Sequence, residues 1–230
     1  MYFISAPFGN YIKRSYAISV TGTWTLHPRP GRLKQILKTL RYTKQGWRNK
    51  LGLRNPGLRA GMLKTDYNSC LSLAAIQPED WLSMYGIISR QRNIELNISC
   101  PNLGTHEDTT NFEGFNLFTN QQSQWCIVKI PPLATNDLVD KIVDLGYTQI
   151  HASNTLPTDK GGLSGKVLVP HTLRLIDYIK QKYPHITVIA GGGVYSRKDA
   201  QTYLDEGADH ISLGTVCFTP WKLKGIVNET

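Results

Sequence analysis

Eight β-rich runs recur along the chain, at 3–6, 17–24, 69–76, 93–99, 125–130, 149–154, 186–191 and 210–216, with helical patterns between many of them. Strands that alternate with helical stretches pair in parallel through crossovers, because a parallel partner cannot be reached by a tight hairpin. Eight such strands predict a closed (β/α)8 barrel, the TIM-barrel architecture. Helices are expected over 78–91, 136–145, 170–183 and 197–206, the last with Ser196 and Asp199 at capping-box spacing. Gly146 and Gly207 follow helical stretches as C-terminal cap glycines do. Only about ten residues separate the first two strands, too few for a full crossover, so the first β/α unit is read as reduced. More than forty residues rich in Pro, Gly and basic side chains separate the second and third strands. A long segment at that end of a barrel predicts a lid or binding loop. With 40% hydrophobic residues, the 230 residues are enough for one sizeable core and are read as one domain, 1–230.

The formal net charge is +9, and much of the excess lies in Arg29, Arg32, Lys34, Lys38, Arg41, Lys44, Arg48, Lys50, Arg54, Arg59 and Lys64. Such a run suits a solvated basic face, or contact with phosphate or RNA. Cys70, Cys100, Cys126 and Cys217 show no metal-ligand spacing, so no metal site is expected, and reduced thiols in a cytoplasmic compartment fit their placement. No apolar run approaches a membrane span, and the N-terminus lacks a signal-peptide pattern.

The chemistry concentrates at the ends of the expected strands. Glu95, Asn97 and Ser99 alternate with Ile94, Leu96 and Ile98, giving one polar and one apolar strand face, and Cys100-Pro101-Asn102 follows. Asn49, Asn97, Asn102 and Asn154 offer donors and acceptors to a ligand with alternating carbonyl and N–H groups. Cys100 stands out as a candidate proton carrier, whereas Cys70, Cys126 and Cys217 read as buried and inert. Lys129 points into the barrel between apolar neighbours, where an anionic ligand or an interior carboxylate such as Glu95 must meet it. A flavin ring that gains negative charge is one such ligand. His151 reads as a hydrogen-bonded barrel residue. Gly191 to Gly193, with Gly214 and Thr215, close the last two strands, where bare backbone amides hold phosphate in barrels of this kind.

Taken together, the Gly22 to Thr25 stretch, Asn49 to Gly57, Glu95 to Asn102, Val128-Lys129, Asn154-Thr155, Gly161 to Gly165, Ala190 to Val194 and Leu213 to Thr215 resemble the dihydroorotate dehydrogenase family in order and spacing. The resemblance implies an FMN-dependent barrel that oxidises dihydroorotate to orotate in pyrimidine biosynthesis. It casts Cys100 as the base for the substrate C5 proton while hydride leaves C6 for flavin N5, and Lys129 as the lysine at the flavin ring. It implies a substrate site of Asn49, Leu51, Gly52, Leu53, Asn97, Asn102, Asn154 and Thr155. Ala6, Thr23, Asn97, Lys129, Gly165, Gly192, Gly193, Gly214 and Thr215 become the cofactor contacts. A cysteine base resembles the soluble class, which passes electrons to fumarate or, through a partner subunit, to NAD. A homodimer follows by analogy. The chain opens directly at its first strand, which disfavours the quinone-using membrane class.

The chain also departs from the family pattern. Neither Ser5 to Asn10 nor Gly22-Thr23 contains the lysine expected near flavin and substrate, leaving Lys13 as the nearest candidate. Two other readings stand beside the first. One is a flavin enzyme acting on another pyrimidine or on dihydrouridine in RNA, and the other is a flavin-binding barrel without turnover.

Overall fold

The computed structural model describes residues 1–98 and 114–227, so Cys100 and Asn102 lie outside the described residues. Strand β1 (Tyr2–Ile4) leads through one 3-10 turn, Phe8–Asn10, into β2 (Ala17–Trp24). The crossover helix of the first unit is therefore reduced to that turn, as the short spacing requires. The segment after β2 forms α1 (Arg32–Thr39), the hairpin strands β3 (Arg41–Thr43) and β4 (Gly46–Asn49), and α2 (Leu58–Lys64). The barrel resumes with β5 (Cys70–Leu73), α3 (Asp80–Ile87), β6 (Ile94–Asn97), β7 (Cys126–Ile130), α4 (Asn136–Asp144) and β8 (Gln149–Ala152). A second hairpin, β9 (Leu156–Thr158) and β10 (Gly161–Ser164), precedes α5 (Val169–Lys182), β11 (Thr187–Gly191), α6 (Arg197–Asp205), β12 (His210–Leu213) and α7 (Leu223–Val227).

Eight parallel strands close in the order β1, β2, β5, β6, β7, β8, β11, β12 and back to β1. Each expected strand is present, most of them trimmed by a residue or more at one or both ends. The alternation of side chains sorts the sheet into two environments. Leu96, Val128, Ile130, Ile150 and Val188 face the helices and pack in one cluster with Val139 and Ile142 of α4 and Leu175, Ile176 and Ile179 of α5. A separate cluster of Phe3, Val20, Cys70, Trp125, Ile127 and Ile189 fills the barrel floor.

Capping follows the local chemistry. The Ser196 hydroxyl accepts the Asp199 amide at 3.2 Å, and Thr135 does the same for Leu138 at the start of α4. Gly146 and Gly207 take φ of 97° and 108° just beyond their helices.

The segment read from sequence as a lid or binding loop forms a built wall of the mouth. Strands β3 and β4 join β10 and β9 in an antiparallel sheet of their own, with Asn49 opposite Gly162. The two hairpins can approach only because position 161 lacks a side chain: a Cβ there would lie 2.3 Å from the Asn49 carbonyl oxygen, and its φ is +111°. Gly161→Ala is therefore expected to lower stability by more than about 1 kcal/mol, read as a lower urea midpoint with an unchanged slope.

Candidate active site

A chain of hydrogen bonds climbs the inside of the barrel. Ser72 donates to Glu95 Oε1 at 2.8 Å, and His151 Nδ1 lies 2.7 Å from Glu95 Oε2. Above them the Ser72 and Thr23 hydroxyls are 3.0 Å apart. Asn97 donates to Thr23 Oγ1 at 3.0 Å, and Asn154 donates to Asn97 Oδ1 at 3.2 Å. Register places Lys129 between Asn97 and His151 on adjacent strands. The network begins on a buried carboxylate and ends on amides at the C-terminal mouth.

Glu95 is fully buried, which by itself raises its pKa, but the Lys129 charge and the bonds from His151 and Ser72 outweigh burial and hold it well below the ordinary carboxylate range. Burial and the same Lys129 charge push His151 down, against the pull of Glu95. The stable pairing is an ionised Glu95 accepting from a neutral His151 that carries its proton on Nδ1. The expectation of a hydrogen-bonded barrel histidine is met. The Glu95–Lys129 pair weighed from sequence is not a contact: no ion pair within 4 Å is made by Lys129 among the described residues. Lys129 is 5% exposed, and that exposure opens onto the cavity.

Two connected cavities occupy the C-terminal mouth. The larger, about 410 Å³, is walled by Ala6, Lys129, Ser153, Gly165, Gly192, Gly214 and Thr215, with Trp47 and Phe218 at one side. The smaller, about 140 Å³, is walled by Thr23, Asn97, Leu51, Gly52, Leu53 and Arg54. Ala6, Pro7, Arg32, Asn49, Leu51, Lys129, Asn154 and Thr155 face both. No Asp or Glu lines either cavity among the described residues.

The residues singled out from sequence thus converge on this mouth, apart from four. Cys100 and Asn102 lie outside the described residues. Gly193 stands behind the wall, where a Cβ would meet Lys166 Cα and Val169 Cγ2 at 2.9 Å. It lets the loop pass close to the start of α5. Lys13 is also misplaced as a site lysine: it bonds Asp66 and Ser69 at 3.2 and 2.9 Å, next to the N-terminal end of β5 and away from the mouth.

Supports absent from the sequence reading become visible here. Tyr203 donates to the Gly192 carbonyl at 2.6 Å, Thr172 donates to that of Gly191 at 3.0 Å, and Tyr195 meets Thr215 Oγ1 at 2.9 Å. Buried Asn55 donates to the Leu53 carbonyl at 2.7 Å and accepts from Gly57 at 2.8 Å, pinning the loop that carries Leu51 to Leu53. Arg32 enters both cavities from the first turn of α1, although the basic run that holds it read only as a solvated face or a phosphate or RNA contact. No pattern in the sequence separates it from Lys34 or Lys38.

A closed parallel barrel with glycine-turned loops after its last two strands and an amide-lined chamber at their C-terminal ends defines a small-molecule-binding (β/α)8 protein. The chain belongs to the dihydroorotate dehydrogenase family, whose model matches residues 6–229. The catalytic subunit of dihydroorotate dehydrogenase B (NAD(+)) from Thermotoga petrophila is 31% identical over 97% of this chain and 91% of its own length. The corresponding subunit of Shouchella clausii is 31% identical over 81% of this chain and 72% of its own. The crystal structure of the Eimeria tenella enzyme with ferulenol shares the fold at a TM-score of 0.74 and 16% identity, covering 99% of this chain and 79% of that one.

Two outcomes test the buried network. Glu95→Ala leaves the buried Ser72 and His151 donors without their acceptor, and a loss of roughly 1–3 kcal/mol for each is expected in chemical denaturation. Acid should also destabilise the parent in two stages. The native pKa of His151 lies below its ordinary 6.5 and that of Glu95 below 4.5, so the unfolded state binds more protons and stability falls as pH drops below each value. Melting temperatures measured from pH 8 to 3 should show both declines, and Glu95→Gln should lose the lower one.

Proposed function

We propose that this chain oxidises dihydroorotate to orotate in pyrimidine biosynthesis with FMN as its cofactor. The observation that carries the reading is the convergence of Asn49, Asn97, Asn154 and Lys129 on a small chamber beside a larger one bounded by the glycine loops. The amides suit the alternating carbonyl and N–H edge of a pyrimidine ring. The larger chamber lies within the size range of cofactor sites. A Cβ at position 192 would strike Leu168 Cβ at 2.7 Å, so the backbone is bare where it faces the cavity.

In this reading Gly165, Gly192, Gly214 and Thr215 hold the phosphate end of FMN, with Gly193 shaping their loop. Ala6, Thr23, Asn97 and Lys129 border its ring. Bound FMN supplies the acceptor for the hydride from substrate C6. Asn49, Asn97, Asn102, Asn154 and Thr155 orient the ring through its polar edge, and Leu51, Gly52 and Leu53 cover it against water. Lys129 stabilises negative charge that develops nearby. Cys100, three residues beyond Asn97 in sequence, takes the proton from C5.

The named relatives act as NAD(+)-linked catalytic subunits, which supports electron transfer here to a partner subunit connected to NAD. Fumarate is the competing acceptor, and a homodimer in the cytoplasm completes the proposal. No helix among the described residues is long and apolar enough to cross a membrane.

The deciding experiment is anaerobic mixing of FMN-loaded protein with dihydroorotate while following visible absorbance. The expected bleaching should become roughly 100-fold or more slower in Cys100→Ser, within the range for removing a general base, with flavin content unchanged. Persistent colour in the parent would defeat the reading. Thiol chemistry gives an independent check. Burial raises Cys70 well above its ordinary value and lifts Cys126 and Cys217 to about 12. A native-state thiol assay at pH 8 should therefore count one reactive cysteine, and none in Cys100→Ser.

A further inference from the structure

We infer that Arg32 is the anchor for the substrate carboxylate, an inference that rests on dihydroorotate being the substrate. The ring of dihydroorotate has a neutral amide edge, and its carboxylate is a separate, fully charged group. The three described asparagines at the chamber account for the edge and leave the carboxylate without a partner of opposite charge. Cationic groups on the smaller chamber are Arg32, Arg54 and Lys129.

These three differ in what they can reach. Lys129 lies deep, in register with Asn97 and His151, and its charge already acts on Glu95 and His151. Arg54 is exposed, and its Nη1 lies 3.4 Å from the Pro30 carbonyl. Arg32 is half-buried, faces both chambers, and has no hydrogen bond or ion pair to a side chain or carbonyl among the described residues. Its guanidinium carbon sits 5.7 Å from the centre of the Tyr11 ring, whose face steers a cation without neutralising it. A planar guanidinium with its donors uncommitted matches a carboxylate through two parallel hydrogen bonds.

Position in the fold supports the assignment. Arg32 opens α1, and Ile36 of that helix and Leu40 at its C-terminal cap line the larger chamber. Gln35 donates to the Lys50 carbonyl at 2.7 Å, tying α1 to the loop that follows Asn49. The same wall therefore presents an amide for the ring and a guanidinium for the carboxylate. With Lys13 bonded to Asp66 and Ser69 away from the mouth, Arg32 supplies a charge at the chamber that the first β/α unit does not.

The test is calorimetric titration of FMN-loaded parent, Arg32→Gln and Arg32→Lys with orotate and with its neutral methyl ester. Arg32→Gln should weaken orotate about 10- to 100-fold, the range for losing hydrogen bonds to a charged group, and leave ester affinity and FMN content unchanged. Arg32→Lys should recover part of the loss. In stopped-flow reduction the Arg32→Gln effect should fall on the dihydroorotate concentration needed for half-maximal rate, with the saturating rate retained. Equal weakening of orotate and ester, lost FMN, or unchanged orotate affinity would each overturn the anchor. A parent that holds FMN but binds no orotate would overturn the substrate reading and the anchor with it.

Discussion

A carboxylate held ionised inside the barrel is the interaction on which the mouth depends. Glu95 has no exposure to water, and an isolated charge there would be expelled or neutralised. It persists because Ser72 and His151 bond its two oxygens and Lys129 balances its charge from the next strand. Lys129 stands above Glu95 in a nearly dry wall, close enough to act on that carboxylate without a direct ion pair. The same hydroxyl of Ser72 hands the network upward to Thr23, Asn97 and Asn154, so the amides at the mouth are oriented from below. A fully satisfied buried network of this kind rigidifies the core, since each member restricts the rotamer of the next.

The second organising element is the sheet formed by two hairpins from distant parts of the chain. Strand β4 belongs to the segment after β2, and β10 to the segment after β8, yet they pair along Trp47 to Asn49. That pairing brings Asn49 and Arg32 from one excursion beside Asn154 and Thr155 from the other. It also turns the long insertion into the side wall of both chambers. A glycine at position 161 is the local condition for the approach, and Trp47 stacked on Phe218 at 4.2 Å closes the wall against the last barrel loop.

Three of the four thiols illustrate how burial separates chemistry from composition. Cys70 sits on the barrel floor, Cys126 starts β7, and Cys217 lies behind the last loop, all with their thiolate form disfavoured by lost hydration. They serve as small apolar side chains. The reading of Cys100 as the reactive thiol thus gains support from the inertness of its alternatives.

Local physical chemistry made much of this protein legible before any tertiary contact was known. Period-two alternation marks Glu95 and Asn97 as inward and Leu96 as outward, and parallel strands need no more than that to build two-sided cores. Ser196, Thr135, Gly146 and Gly207 act within a few residues of themselves, which explains why Ser196, Gly146 and Gly207 could be read directly; Thr135 offered the same signal. The ten-residue gap excluded a crossover helix by length alone. What lay beyond the sequence was every feature that joins remote segments: the β4–β10 pairing, the Glu95–His151 bond across 56 positions, the displacement of Lys13 to Asp66, and the turn of Arg32 from an ordinary basic run into the cavity. Sequence determined the barrel and the residue types at its mouth because those follow from short-range pattern. Only the tertiary structure decided which charges meet, because a charge acts through distances in space that separation along the chain does not encode.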